Sequence, residues 1–171
     1  MITSEKKLTD QEALDKFQSL AKEVGICMFT TLDNDLNIMS RPMWTADIDA
    51  EGNAWFFTNE FSEKIQEVSK DNIVNLVYSH PGKNIYLNVK GTCTVIIDHK
   101  KMEELWKPSM KKWFPEGLSD GKICLVKVTT ENAYYWNTSS SKMALFFQSI
   151  KAIAKGAKYK EGEAGKLKLE K

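Results

Sequence analysis

The feature that most constrains this 171-residue chain is a succession of short β-branched and aromatic runs cut by turn residues. ICMFTTLD leads into Asp33-Asn34-Asp35, LNIMSRPMWTAD into Asp49-Ala50-Glu51-Gly52-Asn53, and NAWFFTN follows. Such runs, bounded by Asp, Asn and Gly, read as strands joined by hairpins, so these three form an antiparallel meander. NIVNLVYS and NIYLNVKGTCTVIID flank a turn at His80-Pro81-Gly82-Lys83-Asn84. Gly91, in the middle of its run, predicts a bulge or bend. ICLVKVTTENAYYWN reads as two further strands around a turn at Thr130 to Asn132. Pro42 cannot donate to a ladder, so its strand is bulged, bent or at an edge near Arg41. The fold class this predicts is mainly β with flanking helices: a six- to seven-stranded antiparallel barrel, closed or nearly closed.

Four stretches carry helical signals. Thr9 opens T-D-Q-E, a capping box with Glu12 at its third position, and Leu14, Phe17, Leu20, Ala21 and Val24 recur at helical spacing. A helix is expected from Asp10 to Glu23, ended by Gly25. Ser62 can cap a short amphipathic helix through EKIQEVSKD. HKKMEELWKPSMKKWF is helical on both sides of Pro108, which should break it. A last helix is expected from Ser141 through KMALFFQSIKAIAK, with an apolar face at Leu145, Phe146, Ile150 and Ile153. One domain, 1–156, and a lysine-rich tail, 157–171, solvated and flexible, complete the expected organisation.

Composition narrows the function classes. A net charge of +1 gives no electrostatic case for nucleic acid. The N-terminal MITSEKKLTDQEALDKF lacks an apolar run and does not read as a signal peptide, and no segment has the roughly 18 apolar residues of a membrane span. A cytoplasmic protein without membrane association is expected. Cys27, Cys93 and Cys124 lie far apart in strand-like surroundings, which favours buried, reduced thiols over disulfides or metal ligands. HExxH, P-loop and GxGxxG patterns are absent, and His80 and His99 stand in no catalytic constellation. No metal site and no catalytic acid or base is identified. Any chemistry would be carried by a cofactor.

Three local features suggest where such a group would sit. A strand ending in Thr58 leads through a turn to Ser62 and then Lys64 in the first helical turn. Helix N-terminal N–H groups, two hydroxyls and an ammonium together suit a phosphate, although Ser62 alone reads as a plain N-cap. Arg41 is the only arginine in a chain with 24 Lys+Arg. Its planar fork suits a phosphate, a ring carbonyl or a buried carboxylate such as Asp47. The five tryptophans include Trp44 and Trp55 in strands, Trp113 in a loop and Trp136 near a strand end. Most tryptophans are core residues, but a flat ring also needs aromatic walls. Trp55 and Phe57 read as core.

SRPMW (Ser40 to Trp44), WFFTN (Trp55 to Asn59), SEKIQEV from Ser62, NLVYSHPGKNIYLNVKGTCTV and the WFPEG…CLVKVTTENAYYWN block occur in an order and spacing that resemble one family. Over residues 8 to 138 the chain is similar to the pyridoxamine 5'-phosphate oxidase-like FMN-binding split barrels, in their bacterial general stress protein branch. The resemblance implies a homodimer with flavin (FMN, or FAD) at the subunit interface. It places Arg41, Pro42 and Met43 along the isoalloxazine edge, Phe57 and Thr58 along the ribityl chain, and Thr58, Ser62 and Lys64 at the phosphate. Residues near Trp113 and Trp136 would come from the second subunit. The oxidases grip pyridoxal phosphate with C-terminal arginine and histidine, whereas this chain has neither beyond residue 99. Where they often carry a glutamine, before the glycine matching Gly91, Tyr86 and its neighbours stand here. Oxidation of vitamin B6 is therefore not expected. The resemblance implies a flavin-dependent oxidoreductase using a small-molecule electron donor or acceptor. A non-catalytic flavin binder or sensor is the alternative, with a haem-binding barrel and a ligand-free scaffold as weaker rivals.

Overall fold

The computed structural model describes residues 10–33, 35–59, 72–137 and 163–168. Helix α1 (Asp10–Val24) precedes strands β1 (Ile26–Leu32), β2 (Ile38–Ile48), β3 (Ala54–Asn59), β4 (Ile73–His80) and β5 (Ile85–Ile96). Helix α2 (His99–Leu105) and two short 3-10 turns (Pro108–Lys112, Gly117–Ser119) lead to β6 (Ile123–Asn137) and β7 (Glu163–Lys168). The helices expected from Ser62 and from Ser141 lie outside the described residues.

Strands β1 to β6 close into an antiparallel barrel. In space the order is β3-β2-β1-β4-β5-β6, and a β3–β6 pairing joins the ends. The predicted barrel is thus the observed one. Closure leaves no ragged edge among these six strands except where a pairing stops short. The interior is filled by alternate residues such as Phe29, Phe56, Leu76, Leu87 and Val126. Helix α1 adds Phe17, Leu20 and Ala21 to that core, so its apolar stripe is buried as its periodicity requires. Gly25 (φ +78°) ends the helix, its N–H donating to the Ala21 carbonyl at 2.8 Å.

Strand β3 is apolar at nearly every position because both of its faces are covered. Ala54 and Phe56 face the barrel core, while Trp55 and Phe57 enter a second, outer cluster with Met102, Leu105 and Met110. The outer layer is built by α2 and the 3-10 turn after Pro108, so this proline does break the helix, as expected. All three cysteines are buried thiols outside any disulfide.

One expectation is corrected. ICLVKVTTENAYYWN is one continuous 15-residue strand rather than two strands around a turn. Gly91 pairs with Thr130 and Lys90 with Asn132, so Glu131 is the extra residue of a bulge. The turn-like Thr-Glu-Asn sequence marks that bulge. A Cβ at Gly91 would lie 2.4 Å from the Thr129 carbonyl oxygen, so the close approach of β5 to β6 requires glycine. Within the lysine-rich tail, 163–168 is strand β7, paired with the far half of β6 from Asn132 to Asn137. The near half, Ile123 to Val128, pairs with β3. β7 therefore occupies β6 where β3 no longer does.

The β2–β3 turn is held by one carboxylate. Asp49 Oδ1 accepts from the Glu51 and Asn53 backbone N–H groups at 3.0 and 2.9 Å, and Oδ2 accepts from Asn53 Nδ2 and from the Trp55 indole at 2.9 and 2.8 Å. Burial alone would raise the Asp49 pKa; the hydrogen bonds from Asn53, Trp55 and Glu51 outweigh it and hold the carboxyl below its usual range. The folded value lies below the unfolded one, so this contribution is complete above about pH 4 and is lost as pH falls through the folded value. Asp49→Asn is expected to cost about 1–2 kcal/mol at pH 7, and the gap to the parent protein should shrink on acidification, as read by urea denaturation.

Candidate functional site

The seam between β2 and β3 is incomplete. β2 pairs with β3 only over Thr45–Ile48 and Ala54–Phe56, with a register shift between Thr45 and Asp47. Before that point the strands part. Arg41 to Trp44 of β2 and Phe57 to Asn59 of β3 then line the two sides of a cleft of about 500 Å³, completed by Ile26, Met110, Trp113 and Phe114. β2 remains paired with β1 throughout, from Ile38 to Trp44.

Backbone alternation decides what β2 offers this cleft. The Thr45 N–H donates to the Gly25 carbonyl at 2.9 Å, so Thr45 and Met43 turn their peptide groups toward β1. Trp44 and Pro42 then turn theirs away from β1, toward the open seam. Pro42 sits where no ladder bond is demanded, opposite Met28. Of the accommodations expected for it, the edge is present, since β2 is unpaired on its β3 side here; the bulge of this strand lies further on, at Ala46.

The walls are apolar and aromatic. Trp44 and Trp113 stack at 6.0 Å with planes 16° apart, and Phe57 lies 6.3 Å from Phe114. Trp113 is 55% exposed and Met110 beneath it is buried. Polar groups come from Arg41, whose Nη1 is buried, and from Thr58 and Asn59. At the root of the seam the Tyr78 hydroxyl lies 2.8 Å from Thr45 Oγ1. Burial pushes the Tyr78 pKa well up, so this phenol stays neutral and serves as a tie between β4 and β2.

Six of the nine residues singled out from sequence, Arg41, Pro42, Met43, Phe57, Thr58 and Trp113, meet in this cleft. Ser62 and Lys64 lie outside the described residues. Trp136 is not part of the cleft; it stands on the far half of β6, 47% exposed, beside Tyr86 and Ala164. Trp113, expected from a second subunit, lines the cleft of its own chain because the 3-10 turn after Pro108 folds back over β3. Ile26, Trp44, Asn59, Met110 and Phe114 had not been foreseen. The available signal for the last two was the placement of Met110, Trp113 and Phe114 between Pro108 and Pro115, an apolar loop segment that must pack on something. Among the described residues no cluster of three His, Cys, Asp or Glu could hold a metal ion.

A family model described as "Pyridoxamine 5'-phosphate oxidase like" matches residues 12–160. The chain belongs to the pyridoxamine 5'-phosphate oxidase-like family. Solved structures of similar shape include a general stress FMN/FAD binding protein from Xanthomonas citri, 25% identical, with a TM-score of 0.65 over 76% of this chain and 92% of that one. Another is a putative general stress protein 26 from Jannaschia sp. CCS1, 21% identical, with a TM-score of 0.70 over 92% of this chain and 98% of the other. The protein bli-3 of Neurospora crassa is 25% identical over 118 residues, 63% of this chain; the chain spans 56% of that relative's length. Among the described residues no helix is long and apolar enough to cross a membrane.

The Trp44–Trp113 stack forms a wall of the cleft more than a prop of the fold. Trp113→Ala should lower unfolding stability by only about 0.5–1.5 kcal/mol, the range for an aromatic pair, while changing near-ultraviolet circular dichroism. A larger loss would make Trp113 a core residue.

Proposed function

We propose that the open seam is a flavin site, and that the protein binds FMN, or FAD, as a flavin-dependent oxidoreductase of the general stress type. The observation that carries this is the pairing of an unladdered strand edge with a flat aromatic slot. A planar tricyclic ring needs apolar walls and in-plane donors and acceptors, and Trp44 and Pro42 present peptide groups where Met43, Phe57 and Trp113 supply walls. Arg41 lies beside them with a planar fork suited to a ring carbonyl or a phosphate. Relatives are named for the same ligand: the Xanthomonas citri protein as FMN/FAD binding and a Nostoc punctiforme neighbour as FMN binding.

When bound, a flavin supplies hydride and electron transfer. The described residues lining the cleft include no carboxylate, imidazole or thiol side chain, so what they contribute is orientation, exclusion of water and the Arg41 charge. That lining also suits the alternative, a protein that stores or senses flavin without turnover. Assay with a nicotinamide cofactor and an electron acceptor divides the two. Oxidation of pyridoxamine phosphate is not expected, for want of C-terminal arginine and histidine. A cytoplasmic location is part of the same proposal.

We also propose a homodimer. Met28, Val77, Asn88 and Tyr134 align across β1, β4, β5 and β6 on the outer face, and all but Asn88 are exposed apolar or aromatic residues. Trp136 lies on the same face of β6. Aromatic residues and methionine without charge at the centre of a patch are the composition of an interface core. Ile26 belongs both to this face and to the cleft, so a second copy seated here would wall the flavin site.

Protein purified with FMN should keep flavin absorbance after desalting; a colourless protein overturns the proposal. Lys64→Ala should weaken FMN far more than riboflavin, and equal loss for both would refute Lys64 as a phosphate ligand. In sedimentation the parent chain should run at twice its 19.5 kDa, and Val77→Asp at the monomer mass. A monomeric parent would refute the dimer.

A further inference from the structure

Behind Trp44 lies a second groove, of about 480 Å³, between α1 and the bulged part of β2. Asp15, Gln18, Ser19 and Lys22 form its α1 wall, Gly25 and Thr45 to Ile48 its floor, and Lys107 its outer side. Gln18 closes one end, its Nε2 donating to the Ile48 and Asp49 carbonyls at 3.3 and 3.0 Å. Lys107 Nζ reaches the Ala46 carbonyl at 3.3 Å and sits 5.3 Å over the Trp44 ring. The groove is distinct from the flavin cleft in every lining residue except Trp44.

Its donors outnumber what the protein uses. A Cβ at Gly25 would lie 3.7 Å from Trp44 Nε1, which places the indole N–H beside the groove floor. Among the described residues that N–H has no acceptor, in contrast to the Trp55 indole, which is bonded to Asp49. Lys22 has no carboxylate partner among them either, nor has Asp47 a cationic one. An indole N–H, the Ser19 hydroxyl and two ammonium groups call for an anionic oxygen group. Asp15 and Asp47 offset the two lysines, which disfavours a dianion and favours a ligand that also carries a donor. The volume and the Trp44 wall suit a single aromatic ring.

We propose that this groove is a second small-molecule site, for an aromatic carboxylate. The ring lies beside the Gly25-side edge of Trp44, its carboxylate toward Lys22, Lys107 and the indole N–H, and a donor substituent toward Asp15 or Asp47. Trp44 is then a partition between two ligands, and because it stacks on Trp113 an occupant of the groove is sensed at the cleft. The site stands independently of whether the cleft takes flavin.

The test is titration of the flavin-free full chain with p-aminobenzoate, benzoate and phenyl phosphate, followed by calorimetry and tryptophan fluorescence. The expected result is saturable binding, tightest for p-aminobenzoate, weakened roughly tenfold or more by Lys22→Ala and by Lys107→Ala, the loss of a charge-assisted hydrogen bond. Lys127→Ala, an exposed-side lysine over Trp55, should leave it unchanged. Absent or non-saturable binding, or equal loss in all three variants, overturns the site. Tighter binding of phenyl phosphate than of either carboxylate overturns the ligand class.

Discussion

The structure depends on a ladder that stops early. β2 and β3 are bonded at the Asp49 turn and released at Thr45. Each side of the parting is fixed by something else. β2 is held to β1 across its whole length before Trp44, and β3 is held to β6 from Ala54 to Asn59. The outer cluster around Phe57 and Met110 keeps β3 pressed to the barrel, so the seam cannot close by moving that strand. An unpaired strand edge normally invites aggregation. Here it lies beside the aromatic side chains of Trp44, Phe57, Trp113 and Phe114, which line the cleft in place of a further strand.

How much of this was legible in the sequence follows from the range of each interaction. Strands β1 to β5 and the Asp49 turn rest on local patterns, alternation and turn chemistry, and these carry over directly. Gly91 was readable as a bulge because a glycine in a strand has few other uses, but Glu131, the extra residue on the facing strand, was not, since Thr-Glu-Asn is equally good turn sequence. β7 was hidden by composition. Glu-Ala-Gly-Lys-Leu-Lys has no β-branched residue, and the strand exists because β6 outruns β3 and leaves its edge to be covered. That is a tertiary demand with no local signature.

The site divides in the same way. Arg41, Pro42 and Met43 could be marked because a lone arginine beside a strand proline is unusual in itself. Trp113 was marked as an aromatic of the site through a second subunit; the fold shows that the loop after Pro108 brings it over its own β3. Met110, buried under the loop against β3, draws Trp113 and Phe114 to the seam. Trp136 shows the converse, a tryptophan at a matching strand end that the long β6 carries away from the cleft.

Trp44 joins these observations. It closes the last β1–β2 pair opposite Ile26, faces its peptide groups into the open seam, stacks on Trp113 on one side and meets Lys107 and Gly25 on the other. A residue so placed cannot be moved by one neighbour without disturbing the rest, since close-packed interiors transmit displacement. The bulge at Ala46 is what lets both arrangements coexist. It re-aims β2 between Asp47 and Thr45: the ladder to β3 crosses it, ends one pair later at Thr45 and Phe56, and before that the strand stands clear. Without it, alternation would run unbroken from Arg41 to Ile48, and the ladder would have no reason to stop.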